Sequence, residues 1–280
     1  FAFDVIHGYK TVFPIPLAEA ASWDLDAAEK SASIAAKEAS SAGLHWTFAP
    51  MMDMSREPRW GRVMEGSGED PYLQGEFAAA RVKGFQGNFD ENHVLATIKH
   101  FAAYGAVEAG REYNTVDVSR YSLWNYYLPS YKAAVDAGAA TVMNSFNFVD
   151  GVPASGNDYL VNKVLRDKWG FDGMVVSDWA SFGEMMNHGY SKDAEQAAIQ
   201  AIMAGSDMDM EAGVTRTTLV NSVKEGKVPM AVLDEAVSRV LALKFKLGLF
   251  DNPYKYHDAA KEKATLMADA HLAEARKAAG

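Results

Sequence analysis

The chain has 280 residues, a formal net charge of −10, 49 % hydrophobic and 23 % charged residues, and no cysteine. That length suits one α/β barrel or two average domains, and the acidic balance, with no Lys/Arg run beyond two residues, excludes the basic footprint that nucleic acid requires. Missing cysteine removes disulfides, thiolate metal sites and thiol nucleophiles, and favours an exported protein, where stray thiols are a liability.

No apolar run approaches the ~20 residues of a membrane helix. Phe1-Ala2-Phe3-Asp4-Val5-Ile6 reads as the second half of a strand already under way, so the chain is expected to be a piece of a longer polypeptide. Pro14 and Pro16 mark an extended loop. Ser22 or Asp24 caps an Ala-rich helix over residues 26–41, closed by Gly43. Residues 44–48 form the next strand, stopped by Pro50. The stretch 53–72 is long, charged and rich in Gly and Pro. It carries Arg56, Glu57, Arg59, Arg62, Glu65, Glu69 and Asp70, with Trp60 and Tyr72 arguing against disorder.

A helix over 73–85 leads to a strand over 94–100 and a second polar loop over 105–117. Ser119 opens a helix ending at Gly138, whose Trp124, Tyr126, Tyr127 and Tyr131 are read as packing. A strand over 140–146, a turn at Asp150-Gly151 and a helix over 158–169 precede a short apolar strand, Met174-Val175-Val176, that ends in Ser177-Asp178-Trp179. A helix over 192–204, a strand over 206–210 and amphipathic helices over 215–224 and 229–247 complete the run to Gly248. Residues 251–254 read as a linker, and the tail from Asp258 as a polar helix beginning something else. Six strands alternate with helices, which implies parallel βαβ units; a barrel and an open doubly wound sheet both fit that pattern.

Polar residues that break the apolar strands fall at the strand C-terminal ends: Asp4, Lys99-His100, Asn144 to Asn147, Asp178, then Asp207 and Asp209, with Arg62 following the second strand. Such a set marks a barrel mouth or a sheet crevice. The residue types suit a sugar. Asp4 can take two hydroxyl protons, Arg62, Lys99 and His100 can donate, Trp179 offers a flat face, and Asp178 below the ring can attack or stabilise an oxocarbenium ion. Asp178 could instead cap the following helix. Lys99 could be a Schiff-base lysine and His100 a structural histidine. Arg56, Arg59 and Glu65 could form a surface ion-pair network. The remaining histidines show no ligand spacing, so no metal is expected.

In combination these residues are recognisable. The chain resembles glycoside hydrolase family 3, most of all the catalytic barrel of bacterial periplasmic-type β-glucosidases. The matching pieces are Phe3-Asp4-Val5-Ile6-His7-Gly8, Phe13-Pro14-Ile15-Pro16, Ala49-Pro50-Met51-Met52-Asp53, Ser55-Arg56-Glu57-Pro58-Arg59-Trp60-Gly61-Arg62, Glu69-Asp70-Pro71, Lys99-His100-Phe101, Tyr113-Asn114-Thr115-Val116, Ser177-Asp178-Trp179 and Leu247-Gly248-Leu249-Phe250. The resemblance implies a TIM-like (β/α)8 barrel over residues 1–250, truncated at its N-terminus, with residues 251–280 a linker and helix leading to a second, α/β-sandwich domain.

It also implies a retaining β-glycosidase that needs no cofactor, acts on terminal β-linked glucose or xylose, and is periplasmic or secreted. Asp178 would be the nucleophile. Asp4, Arg62, Lys99 and His100 would hold hydroxyls, Trp179 would form a wall, and Met143 and Phe146 would line the sugar site. Glu112 matches an acidic family position near it. Relatives often carry Tyr at the Phe146 position, so a phenol contact is missing here. The family's glucosidases take the general acid from the following domain of the same polypeptide. Its single-domain N-acetylglucosaminidases use an Asp-His pair in a barrel loop, and residues 102–110 contain no such pair. The rival expectations are a sugar-binding barrel without turnover and a lyase working through Lys99.

Overall fold

The computed structural model describes residues 1–280. Its frame is an arc of parallel strands, each followed by a helix that covers its outer face. β1 (Ala2–Phe3) pairs in parallel with β2 (Trp46–Thr47). Single bridges from Trp46 to Leu95 and from Met51 to Lys99 carry the order on to β3 (Thr97–Phe101). β3 pairs with β4 (Thr141–Asn144). A small hairpin, β5 (Phe148–Val149) and β6 (Val152–Pro153), follows β4, which itself pairs with β7 (Met174–Val176). The Val176–Met208 bridge adds the sixth parallel position. Parallel neighbours joined through helices are the barrel arrangement, and they set all strand C-terminal ends on one side.

The arc's inner face is filled by alternate side chains. Trp46 lies inside and its indole N–H is shared between Thr97 Oγ1 (2.5 Å) and Thr141 Oγ1 (3.0 Å). Met143, Met174 and Val176 pack beside it, with Phe48, Met208 and Met210 closing the layer. The outer face meets the main core of Ala, Val, Leu and aromatic side chains.

The helices start where capping chemistry permits. Of the two caps expected for the Ala-rich helix, Asp24 is the one used: it accepts from Ala27 N–H and opens α2 (Leu25–Ser41), after the short α1 (Pro16–Ala21). Asp70 caps α3 (Pro71–Gln86) through Leu73 N–H, with Pro71 as first residue. α2 and α3 approach closely at Gly84, where a Cβ would stand 2.3 Å from the Glu29 carbonyl oxygen. Between them and β1 sits a buried ion pair, Arg81–Glu19, whose Arg81 Nη1 also donates to Ile6 O at 2.7 Å.

Four expectations shift. The helix expected over 119–138 is broken into Arg120–Ser122, a π-wound turn Leu123–Tyr127, and Pro129–Asp136, because Pro129 has no N–H to continue it. The helix near 158–169 is π-wound over Tyr159–Lys168. The expected strand 206–210 narrows to the Met208 bridge, because the Asp207 carboxylate, not a backbone carbonyl, takes Val175 N–H at 2.7 Å. The tail forms two helices, Ala259–Thr265 and Asp269–Ala279. Both pack back on α2, where buried Glu38 accepts from Met267 N–H and meets His271 Nδ1, each at 2.9 Å.

Candidate active site

The strand ends converge on a cavity of about 580 Å³, lined by Phe3, Asp4, Ile6, Phe48, Arg62, Glu65, Lys99, His100, Met143, Asp178, Trp179 and Met210. Seven residues singled out in the sequence thus share one pocket: Asp4, Arg62, Lys99, His100, Met143, Asp178 and Trp179. A second cavity of the same size, at the opposite ends of the strands around Phe1, His45, Lys244, Tyr254 and His257, contains none of the strand-end residues and no carboxylate to act below a sugar ring.

Asp178 leaves the end of β7 with its side chain 12 % exposed. Its Oδ1 accepts from Trp179 N–H at 2.6 Å. Its Oδ2 is buried without a hydrogen-bond partner, and His100 Nε2 stands 3.5 Å away. One oxygen is therefore anchored and the other held bare. That orients a lone pair without quenching it. The carboxylate does not cap the next helix: Ser181–Asn187 has no side-chain cap.

Around this acid the other groups are fixed in pairs. Lys99 Nζ donates to Asp4 Oδ1 at 2.7 Å, with Lys99 buried and Asp4 open to the cavity. Arg62 grips Glu65 through two parallel bonds, Nε–Oε1 at 2.7 Å and Nη2–Oε2 at 3.0 Å. Burial opposes both charges, but the pair overcomes it: Glu65 is held below its ordinary value and Arg62 above. The site therefore keeps a fixed cation, and Arg62's charge bears on both Asp53 and His100. Of the alternative surface network of Arg56, Arg59 and Glu65, only Arg59 is at the surface in an ion pair, with Glu57. Glu65 belongs to the site instead.

His100 is buried and anchored to Asp53, whose Oδ2 meets His100 Nδ1 at 2.7 Å and His100 N–H at 2.9 Å. Burial first, then the Arg62 charge, push His100 well below its ordinary pKa. Folded His100 stays neutral while the unfolded chain binds a proton below about 6.5. Stability is therefore present above that value and is lost as pH falls through it, by up to about 1.4 kcal/mol per pH unit. Asp53 acts with the opposite sign. Burial pushes its carboxyl up to about 6, so below that it holds a proton the unfolded chain has released. In urea unfolding between about pH 7.5 and 6, His100→Gln should be less acid-sensitive than the parent protein. An unchanged slope would mean that folded His100 titrates normally.

Two expected site residues lie one layer behind the cavity. Glu112 accepts from Trp60 Nε1–H and Tyr104 O–H. It braces the wall without facing the pocket. Phe146 is buried against Tyr104 and Tyr113, with ring centroids 5.8 and 4.6 Å away. A phenol there would have no cavity to enter directly. Asp207 is buried between Arg166 and Arg239, and Asp209 holds Thr215 N–H and O–H, so neither serves the site.

The sequence gives Asp53 no role of its own, although it ends the apolar run 49–52 as Asp4 ends its own, and it offers Glu65 only as a member of the charged loop. Glu184, in the helix after Asp178, is not singled out by the sequence and lies outside the cavity lining. Burial and then the Asp178 charge raise its pKa, which biases it toward the protonated form.

Comparison with known proteins follows the same outline. Residues 1–243 match the family model described as the glycosyl hydrolase family 3 N terminal domain. The whole chain aligns at 46 % identity with a periplasmic beta-glucosidase of Salmonella typhimurium, covering 37 % of that protein. It is 37 % identical to a beta-xylosidase of Formosa agariphila, over 92 % of this chain and 38 % of that one. A crystal structure of beta-glucosidase from Listeria innocua in complex with isofagomine superposes with a TM-score of 0.97 at 46 % identity, over 99 % of this chain and 40 % of its own. The chain thus spans about two fifths of the relatives it matches.

Proposed function

This chain belongs to glycosyl hydrolase family 3, and on that premise we propose that it is the catalytic barrel of a retaining β-glucosidase. The observation that carries the reading is the bare, buried Oδ2 of Asp178 facing a cavity with Asp4, Arg62, Lys99 and His100. In this reading Asp178 attacks the anomeric carbon of a terminal β-glucosyl residue and the aglycone leaves with a proton. Water then resolves the glycosyl ester with retention. Asp4 and Lys99 hold adjacent hydroxyls as a pair, Arg62 supplies fixed positive charge, and Trp179, 62 % exposed, forms an apolar rim for a ring. The glucosidase names among the relatives support glucose over xylose, and the periplasmic name of the Salmonella relative supports an exported setting. No helix is long and apolar enough to cross a membrane.

The test is mass spectrometry after incubation with a 2,4-dinitrophenyl 2-deoxy-2-fluoro-β-glucoside. Its leaving group departs without acid assistance, and the fluorine slows breakdown of the ester. A mass increase on the peptide holding Asp178 is the expected result. A folded protein that stays unlabelled by both the glucoside and the matching xyloside would overturn the reading.

In this reading the general acid would come from a further domain of the same polypeptide, as the family resemblance implies; that the chain spans about two fifths of its relatives supports it.

A further inference from the structure

Asp53 lies at the floor of the site, fully buried, and touches no part of the cavity. Its Oδ2 receives the His100 backbone N–H at 2.9 Å and meets His100 Nδ1 at 2.7 Å. Its Oδ1 receives Tyr104 N–H at 3.0 Å. The Tyr131 hydroxyl, 2.8 Å from Oδ1, also lies 2.5 Å from the His100 carbonyl oxygen. The two backbone amides can only donate, and one points at each oxygen. That arrangement is made for a carboxylate, which accepts at every site and donates at none. Facing an acceptor-only Oδ2, His100 Nδ1 must carry the hydrogen. A neutral imidazole has only one N–H, so Nε2 is left with a lone pair.

We propose that Asp53 is a positioning residue that fixes His100 in its Nδ1–H tautomer, so that Nε2 enters the sugar site as a hydrogen-bond acceptor for a substrate hydroxyl. This rests on the sugar-hydrolysing reading of the site, and it reverses the donor role that the sequence alone suggested for His100. Its chemical consequence lies 3.5 Å away, at Asp178 Oδ2. An Nε2–H there would donate to that oxygen and stabilise the ground-state carboxylate, dulling it as a nucleophile. A bare Nε2 cannot. It leaves Oδ2 without the donor that the structure also lacks, and directs selectivity toward a ligand group that can give a proton. The neutral state of buried His100 agrees with this, and Asp53, at about 6, is still ionised at neutral pH.

Two measurements test it. The first is ¹⁵N NMR of the protein labelled at histidine, with His100 assigned by the signal lost in His100→Gln. The expected spectrum shows Nδ1 protonated and Nε2 bare at neutral pH. An Nε2-protonated His100 overturns the proposal, whatever the substrate proves to be. The second is a double-mutant cycle on kcat/KM for 2,4-dinitrophenyl β-glucoside. Asp53→Asn should cost about 10–100-fold in the parent, as other second-layer partners of a site histidine do, and roughly twofold or less on top of His100→Gln. An equal loss in both backgrounds would assign Asp53 a purely structural role. Should Asp53→Asn fail to fold, the tautomer of the unmodified protein decides. Should Asp178 resist fluoroglucoside labelling while His100 shows the expected tautomer, it is the enzymatic reading that fails, and the proposal for Asp53 is confined to a binding site.

Discussion

Asp178→Asn is expected to reduce kcat by at least about a thousandfold in folded protein, since removal of a covalent nucleophile leaves only binding and electrostatic assistance. The substitution is nearly isosteric. Its side-chain oxygen can still accept from Trp179 N–H, the bond that now holds Oδ1 at 2.6 Å. What it removes is the charge and the lone pair on Oδ2, which no donor satisfies in the resting protein. The loss should therefore lie in formation of the glycosyl ester. Ligand affinity should change far less, because Asp4, Arg62, Lys99 and His100 remain in place. Single-turnover release of dinitrophenol reads the first step directly. Near-normal release from Asp178→Asn would falsify the assignment.

The second large effect is expected at Asp4. Asp4→Asn should cost about 2–4 kcal/mol of transition-state stabilisation, roughly 30- to 1,000-fold in kcat/KM, because charge-assisted bonds to sugar hydroxyls strengthen as positive charge develops on the ring. Two effects combine. A hydroxyl loses a charged acceptor, and Lys99 Nζ loses the carboxylate that now orients it at 2.7 Å. Lys99 is buried, so its ammonium would be left facing a neutral amide. A loss below about tenfold would place Asp4 outside the sugar contacts. Circular dichroism and the urea midpoint of the variant distinguish this from unfolding. Asp4 is 57 % exposed at its side chain, and its strand is held from behind by Arg81 on Ile6 O, so the fold should persist.

Much of the site could be read from the chain because strand geometry is local. An acid or base that ends a short β-branched run must emerge at the strand's C-terminal end, and parallel strands joined through helices bring all such ends to one side. That rule alone gathers Asp4, Lys99, His100 and Asp178. Arg62 and Trp179 come from loops attached to the same ends. The same rule, applied to residues 49–53, would have added Asp53. Glu112 and Phe146 show where the rule stops. Both sit in the right loops, yet Glu112 turns to the Trp60 indole and the Tyr104 hydroxyl, and Phe146 turns to two tyrosine rings. Loop membership does not say which side of a loop faces the pocket; packing against distant aromatics does.

The alternation of short apolar strands with capped, Ala-rich or amphipathic helices is enough to require parallel βαβ units, and the residue types at the strand ends are enough to suggest a polar, sugar-sized pocket. These follow from backbone propensity, period and capping, which act over a few residues. The roles inside the pocket are set by contacts across the fold. Asp53 and His100 are 47 residues apart, Lys99 and Asp4 are 95 apart, and Glu38 is tied to His271 over 233. Which imidazole nitrogen carries the hydrogen, which Asp178 oxygen stays bare, and which arginine is held at the site all depend on partners that only burial in a common interior brings within hydrogen-bonding distance. Hydrogen bonds and Coulomb forces act over a few ångströms in space, and the order of residues along the chain does not record those distances.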